Sequence, residues 1–270
     1  MKKLIKSVVS FFDLYKTFCI QYLKQLLEYR VDFITGSFSF LITQLTNIVF
    51  ISLVFSQIPS LAGWKYNEIV FIYAFSLLPK GLDHLFTDNL WSVANSIVLR
   101  GEMDKYLTRP INPLLHIIME KLQIDAIGEI LLGVILIVSS VLKLEIKVNI
   151  FWVISFIIFI LLGAIIFASI KIIFASISFW TKKSDSILKI VYNVSDFVRY
   201  PNTIYGKMLR VVLTYIIPFA FTAYYPCLSL LRSQNEVVSL LICMVISLLL
   251  FALSLVVWNA GLSKYESAGS

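Results

Sequence analysis

FWVISFIIFILLGAIIFASI, residues 151–170, runs for twenty positions without a charged side chain. A helix needs about 20 apolar residues to cross the hydrocarbon of a bilayer. The stretch therefore reads as a membrane span. Apart from Lys171 it stays apolar to Trp180, so the helix extends past the hydrocarbon or tilts. Two further stretches, Phe33–Phe55 and Val237–Trp258, are equally free of charge. Three more are apolar but interrupted. Ile69–Pro79 is followed by Lys80, Asp83, His84 and Asp88; Leu122–Leu142 holds Asp125 and Glu129; Leu209–Tyr225 is short and contains Pro218. The pattern predicts six spans.

Composition agrees. The 270 residues are 59% hydrophobic and only 14% charged, with a mean hydropathy of +0.87. Soluble domains carry about 25% charge. In lipid every backbone polar group needs an internal partner, which leaves helices or a closed barrel. Spans of 20 residues are too long for barrel strands, so the expected fold is an all-α integral membrane protein, read as one domain over residues 1–270. The net charge of +7 is then a matter of loop placement rather than of nucleic acid. With both termini inside, the outer loops hold only Lys65, Lys143, Lys147 and Arg232. Lys2, Lys3, Lys6, Lys16, Lys24, Arg30, Arg100, Lys105, Arg109, Lys182, Lys183, Lys189, Arg199, Lys207, Arg210 and Lys264 fall inside. Cytoplasmic loops carry such an excess. The start of the chain lacks a small-residue cleavage site and is expected to be retained. Cys19, Cys227 and Cys243 are isolated and read as small apolar residues.

Before the first span, Phe11, Tyr15, Phe18, Tyr22, Leu26 and Tyr29 recur at steps of three and four, with Lys16, Gln21 and Lys24 on the other side. An aromatic stripe opposite a basic face predicts an amphipathic helix over residues 8–30 lying in the membrane interface. In the second span, Lys80, His84, Asp88 and Trp91 share a helical face, with Asp83 beside them. Ionisable residues inside a membrane cost about 2.5–3.5 kcal/mol each on insertion scales. Either this face lines a pathway or meets a partner, or the helix leaves the membrane near Pro79. Lys121, Asp125 and Glu129 form a second ladder at i, i+4, either pairing locally or lining an inner vestibule. Gln44 and Asn47 share a face of the first span and suit interhelical hydrogen bonds.

RGEMDKYLTRPINP, residues 100–113, is the densest run of charge, Gly and Pro between two spans. Gly101 suits a helix end, and Glu102–Tyr106 a short helix that Pro110 stops. No phosphate loop, no GxSxG and no HExxH occurs, and His116 with Glu120 is one i, i+4 pair rather than a metal site. No metal ligand set and no catalytic set emerges.

Gly101, Asp104, Leu107, Arg109, Pro110 and Pro113 resemble the Gly-x-x-Asp-x-x-Leu-x-Arg-Pro-x-x-Pro signature of ABC-2 type permeases. The layout is similar to the six-helix permeases of about 260 residues found with an ATPase and a second permease. The resemblance implies that 98–113, with Glu102 and Lys105, is a cytoplasmic coupling helix set in a groove of the ATPase. It implies that 8–30 is a connecting helix contacting the same subunit. It implies a re-entrant segment between the fifth and sixth spans, within 209–236. It also implies a bacterial cell membrane location, export driven by separate ATPase subunits that hold ATP and Mg, and a second copy or homologous permease as partner. Lys80, Asp83, His84, Asp88, Asp125 and Glu129 are the candidate pathway-lining residues. The rival readings are a membrane enzyme on lipid-type substrates using Asp83, His84 and Asp88, and an ATP-independent carrier.

Overall fold

The computed structural model describes residues 20, 30–232 and 235–267; the expected interfacial helix, with Phe11, Tyr15, Phe18, Tyr22 and Tyr29, lies outside them. Among the described residues the regular structure is helical, apart from one isolated bridge between Leu61 and Trp64. We label α1 (Arg30–Gln57), α2 (Tyr66–Thr87), α3 (Leu90–Ser92, continued by a π turn over Val93–Ile97) and α4 (Asp104–Leu107). There follow α5 (Pro113–Glu120), α6 (Ala126–Lys143), α7 (Ile150–Ser176), α8 (Ser178–Thr181), α9 (Asp185–Ser195), α10 (Lys207–Val211), α11 (Tyr224–Arg232) and α12 (Glu236–Leu262). Tyr66–Thr87, Ala126–Lys143, Ile150–Thr181 and Glu236–Leu262 are long and apolar enough to cross a membrane. The chain is therefore a multi-pass membrane protein. α1 is as long as α7, and its Ile42–Gln57 stretch is apolar.

Local sequence sets the helix ends. The Glu68 carboxylate accepts the Lys65 N–H at 2.8 Å and starts α2. Asn149 accepts the Trp152 N–H at 2.7 Å and starts α7. Such side-chain acceptors satisfy amides that the first turn leaves without partners.

α2 is the centre of the bundle. Within its span 72% of residues are buried, against 17% for α12 and 28% for α6, so α2 is wrapped by protein while α6 and α12 turn apolar faces outward to lipid. Trp152, Phe71, Phe75 and Phe156 interlock at ring separations of 5.2–6.5 Å and bind α7 to α2. α2 continues through Pro79 to Thr87 as one helix. The charged face beyond Pro79 packs against α6, α7 and the 184–205 segment.

Two expectations are corrected. Lys121, Asp125 and Glu129 do not form a helical ladder, because residues 121–123 are not helical and α6 starts at Ala126; Asp125 accepts from Gln123 Nε2 at 2.7 Å instead. Leu209–Tyr225 is not one helix: α10 passes into a π turn (Val212–Ile216) and then a 3₁₀ turn (Phe219–Thr222).

A different segment runs the length of α2. The Ser184 N–H bonds the Ala94 carbonyl at 2.8 Å, Tyr192 meets Asp83, Asp196 meets Lys80, and Trp64 Nε1 donates to Thr203 Oγ1 at 3.0 Å. Residues 184–205 thus pass antiparallel to α2 from its Thr87 end to its Tyr66 end. The chain then turns inward and back. Arg210 bonds the Thr203 and Tyr205 carbonyls, Phe219 packs on Phe167 at 5.1 Å, and Arg232 returns to the Gly63 carbonyl and lies 4.0 Å from the Trp64 ring.

Candidate functional site

The charged face of α2 meets α6, α7 and the 184–205 segment in three ion-paired groups. Lys171, from the C-terminal part of apolar α7, sits between Asp83 Oδ2 at 3.0 Å and Asp88 Oδ1 at 3.2 Å. The Lys171 and Asp83 side chains are 0% exposed. Tyr192 from α9 donates to Asp83 Oδ2, and Thr87 to Asp83 Oδ1. Lys80 and Arg199 share Asp196, at 2.8 and 2.9 Å. His84 meets Glu129 at 3.0 Å. Buried charge is tolerated where it is paired and its remaining acceptors are bonded. Every expected pathway residue except Asp125 takes part in a pair. Asp125 joins His84, Asp88, Trp91, Gln123, Ala126 and Glu129 around a vestibule of ≈ 260 Å³.

Sequence reading missed Lys171, Tyr192, Asp196 and Arg199 as members of this site. A signal for Lys171 existed: it is the one charged residue within the apolar run of α7, and such a residue calls for a partner.

The second cluster is the 98–113 loop. Gly101 has φ +73°, a left-handed value that a Cβ makes costly, and it reverses the chain after the π turn. Met103 and Tyr106 are buried and anchor the loop, while Glu102, Lys105, Leu107, Arg109 and Pro110 are exposed. Asn112 accepts the Leu114 and Leu115 N–H groups at 3.0 and 3.3 Å, with Pro113 opening α5. α5 then clamps the loop. Glu120 accepts from Lys105 and from the Tyr106 hydroxyl, and Arg109 Nη1 donates to His116 Nε2 at 3.2 Å. Asp104 accepts from Ser267 Oγ at 2.6 Å, which brings the last described residues onto the loop.

The electrostatics of the clamp are directional. Burial, reinforced by the Arg109 guanidinium, lowers the His116 pKa below its ordinary 6.5, consistent with a neutral ring accepting from arginine. Burial raises the Glu120 pKa, but the Lys105 and Tyr106 hydrogen bonds outweigh it and leave the carboxyl below its ordinary 4.5. Burial, then the bond to Asp104, pushes the Tyr265 hydroxyl up to about 12. Groups whose folded pKa is depressed contribute stability that is present above the unfolded value and lost on acidification. The clamp is thus expected to loosen first as His116 begins to protonate below about pH 6.5 and again as Glu120 protonates below about pH 4.5. Hydrogen-exchange protection factors over 101–120, corrected for intrinsic rate, should fall from pH 7.5 to 5.5 in the natural chain and stay flat in His116→Gln. Equal pH dependence in both would remove His116 from this role.

Among the described residues no group of His, Cys, Asp and Glu is placed to hold a metal ion. The paired charges tie helices together, and the clamped loop exposes Glu102, Leu107 and Pro110. Comparison with known proteins gives one family, described as ABC-2 family transporter protein, whose pattern matches residues 41–269. No curated protein and no solved structure matches the chain. The matched region takes in the 98–113 loop, the ion-paired face of α2 and the helices that cover it, and on that match the chain belongs to the ABC-2 transporter family as the membrane component of an ABC-type transporter.

Proposed function

We propose that this chain is the permease subunit of an ATP-driven exporter in a bacterial cell membrane, coupled to separate ATPase subunits through residues 98–113. The observation that carries the reading is the contrast within that loop. Met103 and Tyr106 are buried anchors and α5 clamps Lys105 and Arg109, yet Glu102 and Leu107 face outward, Leu107 at 44% exposure. A rigid element with an apolar tip and charged rim suits a groove on a partner. ATP and Mg are the partner's; this chain supplies no phosphate loop.

In this reading the six crossings are α1, α2, α6, α7, the 184–205 segment and α12, and 206–232 is a re-entrant hairpin on the outer side. Lys207 and Arg210 then move outside, and Lys189 and Arg199 into the membrane. Lys and Arg remain in excess on the inner side, so both termini stay cytoplasmic. A second copy or a homologous permease completes the pathway, with the vestibule of His84, Asp125 and Glu129 at its inner mouth. ATPase states can drive transport only if they contact the loop differently. The full burial of Asp83 against Lys171 weighs against the enzyme reading, which needs that carboxylate to meet substrate.

The test is co-purification from the native membrane in mild detergent with an N-terminal tag, comparing the natural chain with Glu102→Lys/Leu107→Asp. An ATPase subunit should accompany the natural chain and fall at least tenfold in the variant at equal permease yield. No ATPase with the natural chain would sink the proposal.

A further inference from the structure

We propose that the cavity between α1 and the 184–205 segment binds an amphiphile with a single anionic head group. This deepens the permease reading, on which it rests, by naming a substrate class. The cavity has a volume of ≈ 470 Å³, within the range of sites that hold small molecules. Its walls are apolar over most of their extent: Phe50, Ile51, Val54 and Phe55 from α1, Leu61, and Ile69 from α2. A tail fits there.

The polar edge decides the head group. Asp196 and Arg199 line the cavity, and Lys80 reaches Asp196 from α2. Two cations share one carboxylate, so this edge carries one uncompensated positive charge. The Lys80 and Arg199 side chains are 12% and 17% exposed, so water screens them little. A guanidinium offers five N–H donors, and one carboxylate leaves several unused. Asn47 and Asn193 add amide groups to the wall. The inner vestibule has the opposite balance, with Asp88, Asp125 and Glu129 around His84. The two openings therefore differ in the sign of charge they accept. The anionic class belongs to the cavity beside α1, and a neutral or cationic amphiphile of the same length leaves its positive edge unanswered.

The same chemistry occurs in an anionic membrane lipid and in a free anionic amphiphile. The experiment uses the full chain in phosphatidylcholine nanodiscs, one copy per disc, and equilibrium binding of dodecanesulfonate, dodecyltrimethylammonium and dodecanol. Dodecanesulfonate should bind at least tenfold more tightly than either analogue. Arg199→Gln should weaken it at least tenfold, Asp196→Asn should tighten it several-fold, and Val54→Trp, which fills the tail region, should abolish it. The opposite signs of the first two variants separate charge recognition from loss of fold. Competition by added phosphatidylglycerol assigns the site to a bilayer lipid, and its absence assigns it to a free amphiphile; both support the anionic class. Equal or tighter binding of the cationic analogue, or no response to Asp196→Asn, overturns the proposal. So does exclusion of dodecanesulfonate from discs holding two copies, which would make the cavity a contact between permeases. The measurement needs no ATPase, so its failure and the failure of the co-purification test are distinguishable.

Discussion

Replacing Lys171 by methionine is expected to destabilise the bundle by about 3–5 kcal/mol, the usual cost of removing one partner from a buried ion pair. The two partners do not suffer equally. Asp88 is 29% exposed and can turn toward the vestibule, whereas Asp83 is fully buried and keeps only neutral donors, the hydroxyls of Tyr192 and Thr87. The stranded charge, more than the lost attraction, sets the size of the effect. Thermal unfolding of the purified chain in detergent should show a large drop in midpoint. The double variant Lys171→Met/Asp83→Asn should recover most of it, because an amide needs no counter-charge and an apolar replacement of a whole pair is often neutral. A single variant that melts like the natural chain would mean that the pair is not formed in the membrane.

Gly163→Val should cost about 1–3 kcal/mol through overpacking and should act on the segment at Thr222. A Cβ at Gly163 would lie 2.9 Å from Pro79 Cβ and 3.2 Å from the Thr222 carbonyl oxygen. One obstacle is a rigid ring in α2 and the other is backbone, so neither yields by a rotamer change. Gly81 makes a useful comparison. Its added Cβ would meet Ile130 Cγ1 at 2.7 Å, on α6 and away from residues 219–232. Gly163→Val and Gly81→Ala should both destabilise, but hydrogen exchange over 219–232 should accelerate only in Gly163→Val. Equal exchange in both would place the contact outside the forces that hold that segment.

Hydropathy made α1, α7 and α12 legible, because each presents an unbroken apolar run long enough to cross, and α6 through the apolar stretch that follows Glu129. The loop at Gly101 was legible through its glycine and prolines, which mark a chain reversal and a stop. Residues 184–205 escaped the same reading. Asp185, Lys189, Asn193, Asp196 and Arg199 make the segment look like a polar loop, yet Asp196 and Arg199 form an ion-pair group with Lys80 from α2, and Tyr192 bonds Asp83. Polarity satisfied by a partner helix cannot be told from polarity satisfied by water until the partner is known. The converse holds for 209–225, an apolar stretch that hydropathy reads as one helix but that breaks into π and 3₁₀ turns, with Phe219 packed on Phe167. The charged face of α2 was legible as one face, from its steps of three and four. Its partners lay far along the chain, beyond any local periodicity.

That separation has a consequence for how the protein is made. Lys80 and Asp196 stand 116 residues apart in sequence, and Asp83 and Tyr192 109 apart. At synthesis rates of about 5–20 residues per second, α2 waits roughly 5–25 s for the segments that neutralise it. During that interval it is a poor candidate to enter lipid alone. Its release from the insertion machinery is expected to be delayed until α7 and the 184–205 segment have emerged, so truncation of the nascent chain before Tyr192 should leave α2 within cross-linking reach of the translocon.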